Sequence, residues 1–422
     1  MKIFVIGSGG REHCLIWKIA QSPLVDTIYC APGNAGITRL AECVDIKADD
    51  ISGLLQFAQE KAIDLTIVGP EIPLSLGIVN LFQQHHIPIF GPSREATEIE
   101  SSKVFAKYMM QKYEIPTARY AVFEDQKQAL SYINTQSLPL VLKVDGLAAG
   151  KGVFIVQTLQ EAEQIIGQVM TEKQFGDAGN RIVVEEFLEG EEVSMLVFTD
   201  GTHYIPMVSS QDHKKIFEND RGPNTGGMGA YSPVPFFQKK ERDYVEKHII
   251  TPIISGMKKE GRLFRGILYT GLILTEKGPK VLEFNARFGD PETQVILPRL
   301  KTDLIKIIKA IIGGYLNKIQ VQWYDNASVC VVMASEGYPG HYERGFVIKG
   351  LDKAAQYNDL AVFHAGTRQK EGQIYSAGGR VLSVTAWSNE LRNSIKKAYS
   401  GIQEIYFKND YYRKDIGQKG LR

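Results

Sequence analysis

The stretch Val281-Leu-Glu-Phe-Asn-Ala-Arg-Phe-Gly-Asp-Pro-Glu-Thr-Gln294 decides how this chain is read. Its apolar start reads as a strand, on which Glu283 and Asn285, two residues apart, point to one face. Arg287 follows at once, and a Gly-Asp-Pro turn then presents Asp290 and Glu292. An acid and an amide leading into an arginine suit Mg²⁺ held between phosphates, with a guanidinium beside a phosphoryl group in transfer. Taken alone, these residues favour the plainer reading of a strand that ends in a polar turn. The rest of the chain shifts that balance.

A chain of 422 residues exceeds one hydrophobic core, so two to four domains are expected. Lys and Arg number 49 against 48 Asp and Glu, a net charge of +1, which speaks against nucleic acid as a partner. The four cysteines (Cys14, Cys30, Cys43, Cys330) have no metal-ligand spacing and read as buried thiols of a reducing compartment. The N-terminus runs straight into a strand and a glycine turn, with no secretory pattern, and no apolar run approaches a membrane span. A cytoplasmic protein without a membrane partner is expected, as a monomer or weak homodimer.

Strands over residues 2–6, 27–30, 65–68 and 88–91 alternate with helices over 11–21 and 51–61 and one before the last strand. That alternation predicts a doubly wound parallel sheet over residues 1–100. A helix over 101–113 carries Lys103 and Lys107 on one face. Strands 140–144, 153–156 and 181–186 with helix 159–170 read as a compact α+β module, a mobile flap over 119–190. Strands 192–198, 203–207, 266–274 and 280–284 complete a second domain over 101–325, interrupted by a glycine-rich loop at 219–231 and a helix at 238–260. Residues 326–422 read as a small α+β domain ending in helix 388–401 and strand 405–407.

Gly7-Ser-Gly-Gly-Arg-Glu-His13 lies between a strand and a helix, where free backbone N–H groups receive an anion. It fails the dinucleotide fingerprint, because Glu12 holds the third glycine position and the second strand ends without an acid for a ribose. A phosphate or ribosyl phosphate fits better than NAD; a plain βα turn is the bland alternative. Asp145-Gly-Leu-Ala-Ala-Gly-Lys-Gly152 has three residues between its glycines instead of the four of a P-loop, and lies between two strands. A hairpin that folds over phosphates suits it, with Lys143 on the preceding strand as a phosphate ligand. A lysine in the apolar run 140–144 is costly without a counter-ion. In Glu185-Glu-Phe-Leu-Glu-Gly-Glu-Glu192, backbone groups at 185–188 suit an adenine edge and Glu192 a ribose; a solvated acidic turn explains the same residues. Asp212-His-Lys-Lys215 and Gly222-Pro-Asn-Thr-Gly-Gly-Met-Gly-Ala-Tyr231 form a polar, glycine-heavy segment, expected to be mobile and to approach a ligand with its backbone.

In this order, the lysine, glycine flap, acidic hinge and Glu-x-Asn pair resemble the ATP-grasp superfamily. The 7–13, 145–152, 222–231 and 287–294 motifs more narrowly resemble its phosphoribosylamine–glycine ligase family, over essentially the whole chain. That resemblance implies an ATP-grasp fold and a three-substrate reaction. Glycine, 5-phosphoribosylamine and ATP would give glycinamide ribonucleotide, ADP and phosphate through glycyl phosphate, a step of purine biosynthesis. It also implies residue roles. ATP would be held by Lys103, Lys143, Gly150, Lys151, Gly152, Glu185, Glu186, Leu188 and Glu192, and Mg²⁺ or Mn²⁺ by Glu283 and Asn285. Gly9, Gly10, Arg11, Asp212, Asn224, Gly226, Gly227, Met228 and Pro291 would bind substrate, with Arg287 and Asp290 both binding and catalytic. The strand before Glu-x-Asn carries no acid, unlike that of relatives such as D-alanine–D-alanine ligase, so the metal would depend on two side chains plus phosphate oxygens. A bicarbonate-using ATP-grasp carboxylase shares the ATP site and is the nearest rival. An NAD-binding Rossmann protein is the rival of another class, resting on Gly7–Gly10 alone.

Overall fold

In the computed structural model, which describes residues 1–148 and 152–422, a fully parallel five-stranded sheet opens the chain. Its order is Glu42–Cys43, Thr27–Pro32, Lys2–Gly7, Leu65–Val68, Ile89–Phe90. Ile3, Phe4, Val5 and Ile6 are all buried, the continuous apolar run of a strand covered on both faces. Strand order reverses at Lys2–Gly7, so the Gly7–Gly10 turn lies at the topological switch point, where open α/β sheets hold ligands.

The helix expected over 101–113 is Lys103–Lys112, and a further helix, Arg94–Ser101, runs directly into it. The break is Ser102, in an extended conformation, whose hydroxyl accepts from Phe105 N–H at 3.1 Å as an N-cap. The break sets Lys103 on the first helical turn.

Residues 120–186 form an antiparallel sheet in the order Tyr120–Phe123, Ile182–Glu186, Leu140–Val144, Val153–Val156. Helices Gln126–Ile133 and Leu159–Ile166 cover it, and the module has its own core around Ile133, Leu142, Val144, Ile166 and Val184. A second antiparallel sheet runs Tyr204–Pro206, Glu191–Thr199, Gly266–Thr275, Gly278–Asn285.

The last sheet joins distant segments. Strands Gln211–Asp212 and Gly229–Ser232 pair onward to Ala327–Ser335, Arg380–Ser388 and Leu360–His364. The segment expected as a loop at 219–231 is thus largely strand: hairpin Lys215–Phe217 with Arg221–Asn224, then Gly229–Ser232, where Ala230 and Tyr231 are wholly buried. Its polar and glycine residues hide the last of these strands, because the partner it pairs with along its whole length, Ala327–Ser335, is about a hundred residues away in the chain. The closing strand is Asp410–Tyr411, whereas Tyr406 makes only an isolated bridge to Lys349. No helix among the described residues is long and apolar enough to cross a membrane.

Candidate active site

The buried lysine on strand Leu140–Val144 has its counter-ion. Lys143 Nζ lies 2.9 Å from Glu185 Oε1 and donates to Leu282 O at 2.9 Å, while Lys107 Nζ lies 3.2 Å from the same carboxylate oxygen. Glu185 is therefore flanked by two ammonium groups. Burial, opposed by Glu185, takes Lys107 down to about 8. Lys103 Nζ donates to Gly146 O at 3.0 Å, which ties it to the start of the glycine hairpin, and burial lowers its pKa. Asp145, beside that glycine, accepts from Ser102 Oγ at 3.0 Å and Val104 N at 3.1 Å and pairs with Arg181 at 2.6 Å. At Gly152 a Cβ would come within 2.7 Å of Ala148 Cβ. Gly150 and Lys151 lie outside the described residues.

Glu186 accepts from Arg119 N at 3.0 Å and Nε at 2.7 Å and meets Lys280 at 3.3 Å. Burial pushes its carboxyl up, yet these bonds hold it at about 2. Leu188 is half-buried on the turn beyond. Glu192 pairs with Lys214 at 3.1 Å and keeps nearly half its side chain exposed.

Glu283 and Asn285 stand on strand Gly278–Asn285 opposite Gly271 and Tyr269, on one face as their spacing predicts. Gly271 leaves room for this face, since a Cβ there would sit 3.2 Å from Glu283 Cγ. Glu283 Oε1 is 3.6 Å from Lys214 Nζ. Burial acts to raise its pKa, but Lys214, Lys143, Lys103 and Arg287 together hold it below the ordinary carboxylate range. Among the described residues no group of three or more His, Cys, Asp or Glu could hold a metal by itself. An ionised carboxylate and an amide on one face, ringed by lysines, fit a hard divalent cation that arrives with phosphate oxygens and waters as its other ligands.

Arg287 is clamped. Its Nη2 is 3.0 Å from Glu100 and its Nε 3.3 Å from Glu71, and Nη1 donates to Phe288 O at 3.2 Å. Burial works against its charge, but Glu100 and Glu71 more than offset this and raise its pKa. Glu100 also accepts from Ala286 N at 2.6 Å, and burial raises its own pKa.

The N-terminal turn packs directly against the 290–294 signature. A Cβ on Gly9 would lie 3.4 Å from Asp290 Oδ2, and one on Gly10 only 2.8 Å from Gln294 Nε2. The turn is less open to an anion than its sequence suggests, because Glu12 Oε2 accepts the Gly9 N–H at 2.6 Å. Arg11 is buried, donating from Nε to Glu12 at 2.5 Å and from Nη1 to Phe288 O at 3.1 Å. Asp290 accepts from Gln294 Nε2 at 2.7 Å and pairs with Arg380 at 3.2 Å. Burial pushes its pKa up, but Arg380 and Arg11 bring it below the usual value.

Gly227 has φ +107°, and a Cβ there would overlap Pro291 Cδ at 2.4 Å and Asp212 Oδ1 at 2.6 Å. That contact brings three assigned residues together. Asp212 Oδ1 is buried without a hydrogen-bond partner; burial and the nearby Glu292 raise the pKa of Asp212, against Lys214 and Arg380. Glu292, also buried, accepts from Ser194 Oγ at 3.2 Å. Asn224 is half-buried at the end of its hairpin, paired in register with Lys215. Met228 stands apart from the others. Its side chain is wholly in the core, its N–H donates to His213 O and its C=O accepts from Val332 N.

Several contributors escaped the sequence reading. Lys214 had a signal in the run Asp212-His-Lys-Lys215. Glu71 and Glu100, the partners of Arg287, and Arg380, the partner of Asp290, had none at short range.

Three family models match the chain. Phosphoribosylglycinamide synthetase N domain covers residues 1–100, the ATP-grasp (A) domain of the same enzyme 101–293, and its C domain 328–419. A phosphoribosylamine–glycine ligase of Caldanaerobacter subterraneus is 49% identical, with 99% of each chain covered. The trifunctional purine biosynthetic protein adenosine-3 of Gallus gallus is 48% identical over all of this chain, which spans 42% of that longer protein. Among solved structures, phosphoribosylamine–glycine ligase from Thermotoga maritima superposes with a TM-score of 0.84 at 31% identity, covering 98% of this chain and all of the other. The biotin carboxylase domain of a Hydrogenobacter thermophilus carboxylase, solved with MgADP and bicarbonate, reaches 0.75 at 16% identity over 97% and 91% of the two chains, a likeness of fold alone. Parallel N-terminal sheet, antiparallel sheets and Glu-x-Asn strand are thus those of the ATP-grasp enzymes, which use ATP. Within that class the chain belongs to the phosphoribosylamine–glycine ligase family.

Proposed function

We propose that this protein joins glycine to 5-phosphoribosylamine at the expense of ATP, giving glycinamide ribonucleotide, ADP and phosphate. A carboxylate is a poor acyl donor, because its leaving group would be oxide. Transfer of the γ-phosphoryl group to glycine makes an acyl phosphate, and the ribosylamine nitrogen then displaces stable phosphate. Lys103 and Lys143 hold the phosphates, and the 120–186 module brings the glycine hairpin over them and excludes water while the acyl phosphate exists. Backbone groups at 185–188 take the adenine and Glu192 the ribose. Glu283 and Asn285 would hold Mg²⁺ or Mn²⁺, which neutralises developing phosphate charge when bound. Asp212, Gly227, Asp290 and Pro291, gathered beside the N-terminal turn, bind the two other substrates. Arg287, clamped by Glu71 and Glu100, keeps its guanidinium in a fixed position beside them. Residues 1–100, 101–325 and 326–422 act as three domains of a cytoplasmic monomer or weak homodimer.

The observation that carries this reading is the ionised Glu283 beside Asn285, under the combined field of Lys103, Lys143 and Lys214. Such a cluster is built to meet a metal–polyphosphate. ADP release, measured with glycine and phosphoribosylamine each supplied and withheld, tests it. ADP formed only with both substrates is expected. Equal release with bicarbonate, serine or leucine in place of glycine would overturn the assignment.

A further inference from the structure

The last third of the chain places one side chain where the first and second thirds meet. Arg380, on strand Arg380–Ser388, donates from Nη1 to Gly226 O at 2.6 Å and Asp290 O at 2.8 Å, with Gly227 O at 3.5 Å. Its Nη2 lies 3.2 Å from Asp290 Oδ2. Asp290 is therefore held by both its carbonyl and its carboxylate, which fixes position and side-chain direction together. The Gly226 peptide is gripped at both ends, because its N–H donates to Tyr338 Oη at 3.0 Å.

Glycines make these approaches possible. A Cβ on Gly226 would sit 3.0 Å from Arg380 Cζ, and one on Gly379 would overlap the Tyr338 ring at 2.3 Å. The run Gly378-Gly379-Arg380 thus delivers an arginine and makes room for a tyrosine against one turn of another segment. Asp290 in turn faces Gly9, and its partner Gln294 faces Gly10. None of the Arg380 bonds reaches Lys103, Lys143, Glu283 or Asn285.

We infer that Arg380 is a positioning residue for the phosphoribosylamine side of the site, fixing Asp290 and the Gly226–Gly227 carbonyls without acting on the nucleotide. This rests on the ligase reading above. A planar fork meets a carbonyl and a carboxylate at once, which a lysine point charge does not. Removing the fork frees Asp290 to turn away, and the loss falls on binding and orientation of the amine substrate.

Steady-state kinetics of Arg380→Ala and Arg380→Lys, each substrate varied in turn, tests this. We expect KM for phosphoribosylamine to rise about tenfold or more in both variants, the loss of roughly one charge-assisted bond, with KM for ATP nearly unchanged. Added guanidinium ion should restore part of the Arg380→Ala activity by lowering KM for phosphoribosylamine, with KM for ATP again nearly unchanged, a selectivity that a purely structural role would not show. Asp290→Asn combined with Arg380→Ala should cost less than the sum of the two single losses, because both break the Arg380–Asp290 carboxylate contact. Equal rises in both Michaelis constants, a lysine variant like the parent, or fully additive losses would each overturn the inference. So would an Arg380→Lys protein that no longer folds at assay temperature, since Arg380 would then be part of the core. A parent protein that forms no ADP with glycine and phosphoribosylamine would instead remove the ligase reading on which the inference stands.

Discussion

Glu185 shows how far a single carboxylate governs the nucleotide end. It is almost wholly buried between Lys107 and Lys143, at 3.2 and 2.9 Å, so its removal strands two ammonium groups in a low-dielectric site. Glu185→Ala should therefore destabilise the fold by about 3–5 kcal/mol, seen as a lowered urea midpoint. Lys143→Ala is the milder change for folding, because Lys107 still balances Glu185, and the harsher one for ATP. KM for ATP should rise and turnover fall together, since a phosphate-holding charge acts in ground and transition states. If Lys143→Ala unfolds the chain as readily as Glu185→Ala, the phosphate role loses its support. Glu283 belongs to neither balance, because Lys214 retains Glu192 at 3.1 Å when it is gone. Glu283→Gln should nearly abolish turnover with an unchanged melting temperature. Near-parental activity with the same Mg²⁺ dependence would remove Glu283 from the site.

At the scale of the element, the N-terminal turn and the helix it opens, Gly10–Ile19, carry the substrate argument. A valine at Gly10 would drive its Cβ to within 2.8 Å of Gln294 Nε2 and 3.2 Å of Ser383 Oγ. Gln294 must then leave its 2.7 Å bond to Asp290. Gly10→Val should raise KM for phosphoribosylamine far more than KM for ATP; NAD binding, or a defect in ATP alone, would contradict this. The elements themselves were legible where local pattern decides them. The apolar strand before Gly7, strand Leu140–Val144 and the Glu-x-Asn strand are all found where apolar runs and spacing put them. Gly229–Ser232 was not legible, because a strand of Gly, Ala, Tyr and Ser declares itself only when Ala327–Ser335 pairs with it. Arg380 was hidden for the same reason, its partners lying 90 and 154 residues away in the chain. Lys143 announced that it needed a counter-ion, but only the sheet, pairing Val141 with Glu185, supplied it.

Across the whole molecule, three buried histidines join distant segments and make the assembly sensitive to acid. His13 Nδ1 accepts from His364 N–H at 2.8 Å, linking the first helix to strand Leu360–His364. His364 Nδ1 lies 3.1 Å from Thr367 Oγ1. His213 Nδ1 lies 3.2 Å from Gly229 O, and its Nε2 is 3.5 Å from Gly417 N. Burial, with His364 and Arg39 adding to it, takes His13 to about 3; burial with Arg39 takes His364 to about 4. Burial with Arg413 does the same for His213, to about 4. Each folded value lies below the unfolded value of about 6.5, so the unfolded chain binds more protons between the two. Stability contributed by the neutral rings is then complete above about pH 6.5 and falls as pH drops towards 3–4, by up to about 1.4 kcal/mol per unit for each ring. Asp212 and Glu100, whose pKa values are raised, act in the opposite sense, so the total slope does not isolate the histidines. His13→Asn does, because its amide oxygen can accept the His364 N–H and cannot titrate. Urea unfolding of both proteins between pH 4 and 7 should give a parent that loses stability faster than the variant, by about 1.4 kcal/mol per pH unit, below pH 6. Parallel curves would mean that the His13 ring takes up its proton as readily in the folded chain as in the unfolded one, and that the His13–His364 contact is no acid-labile joint.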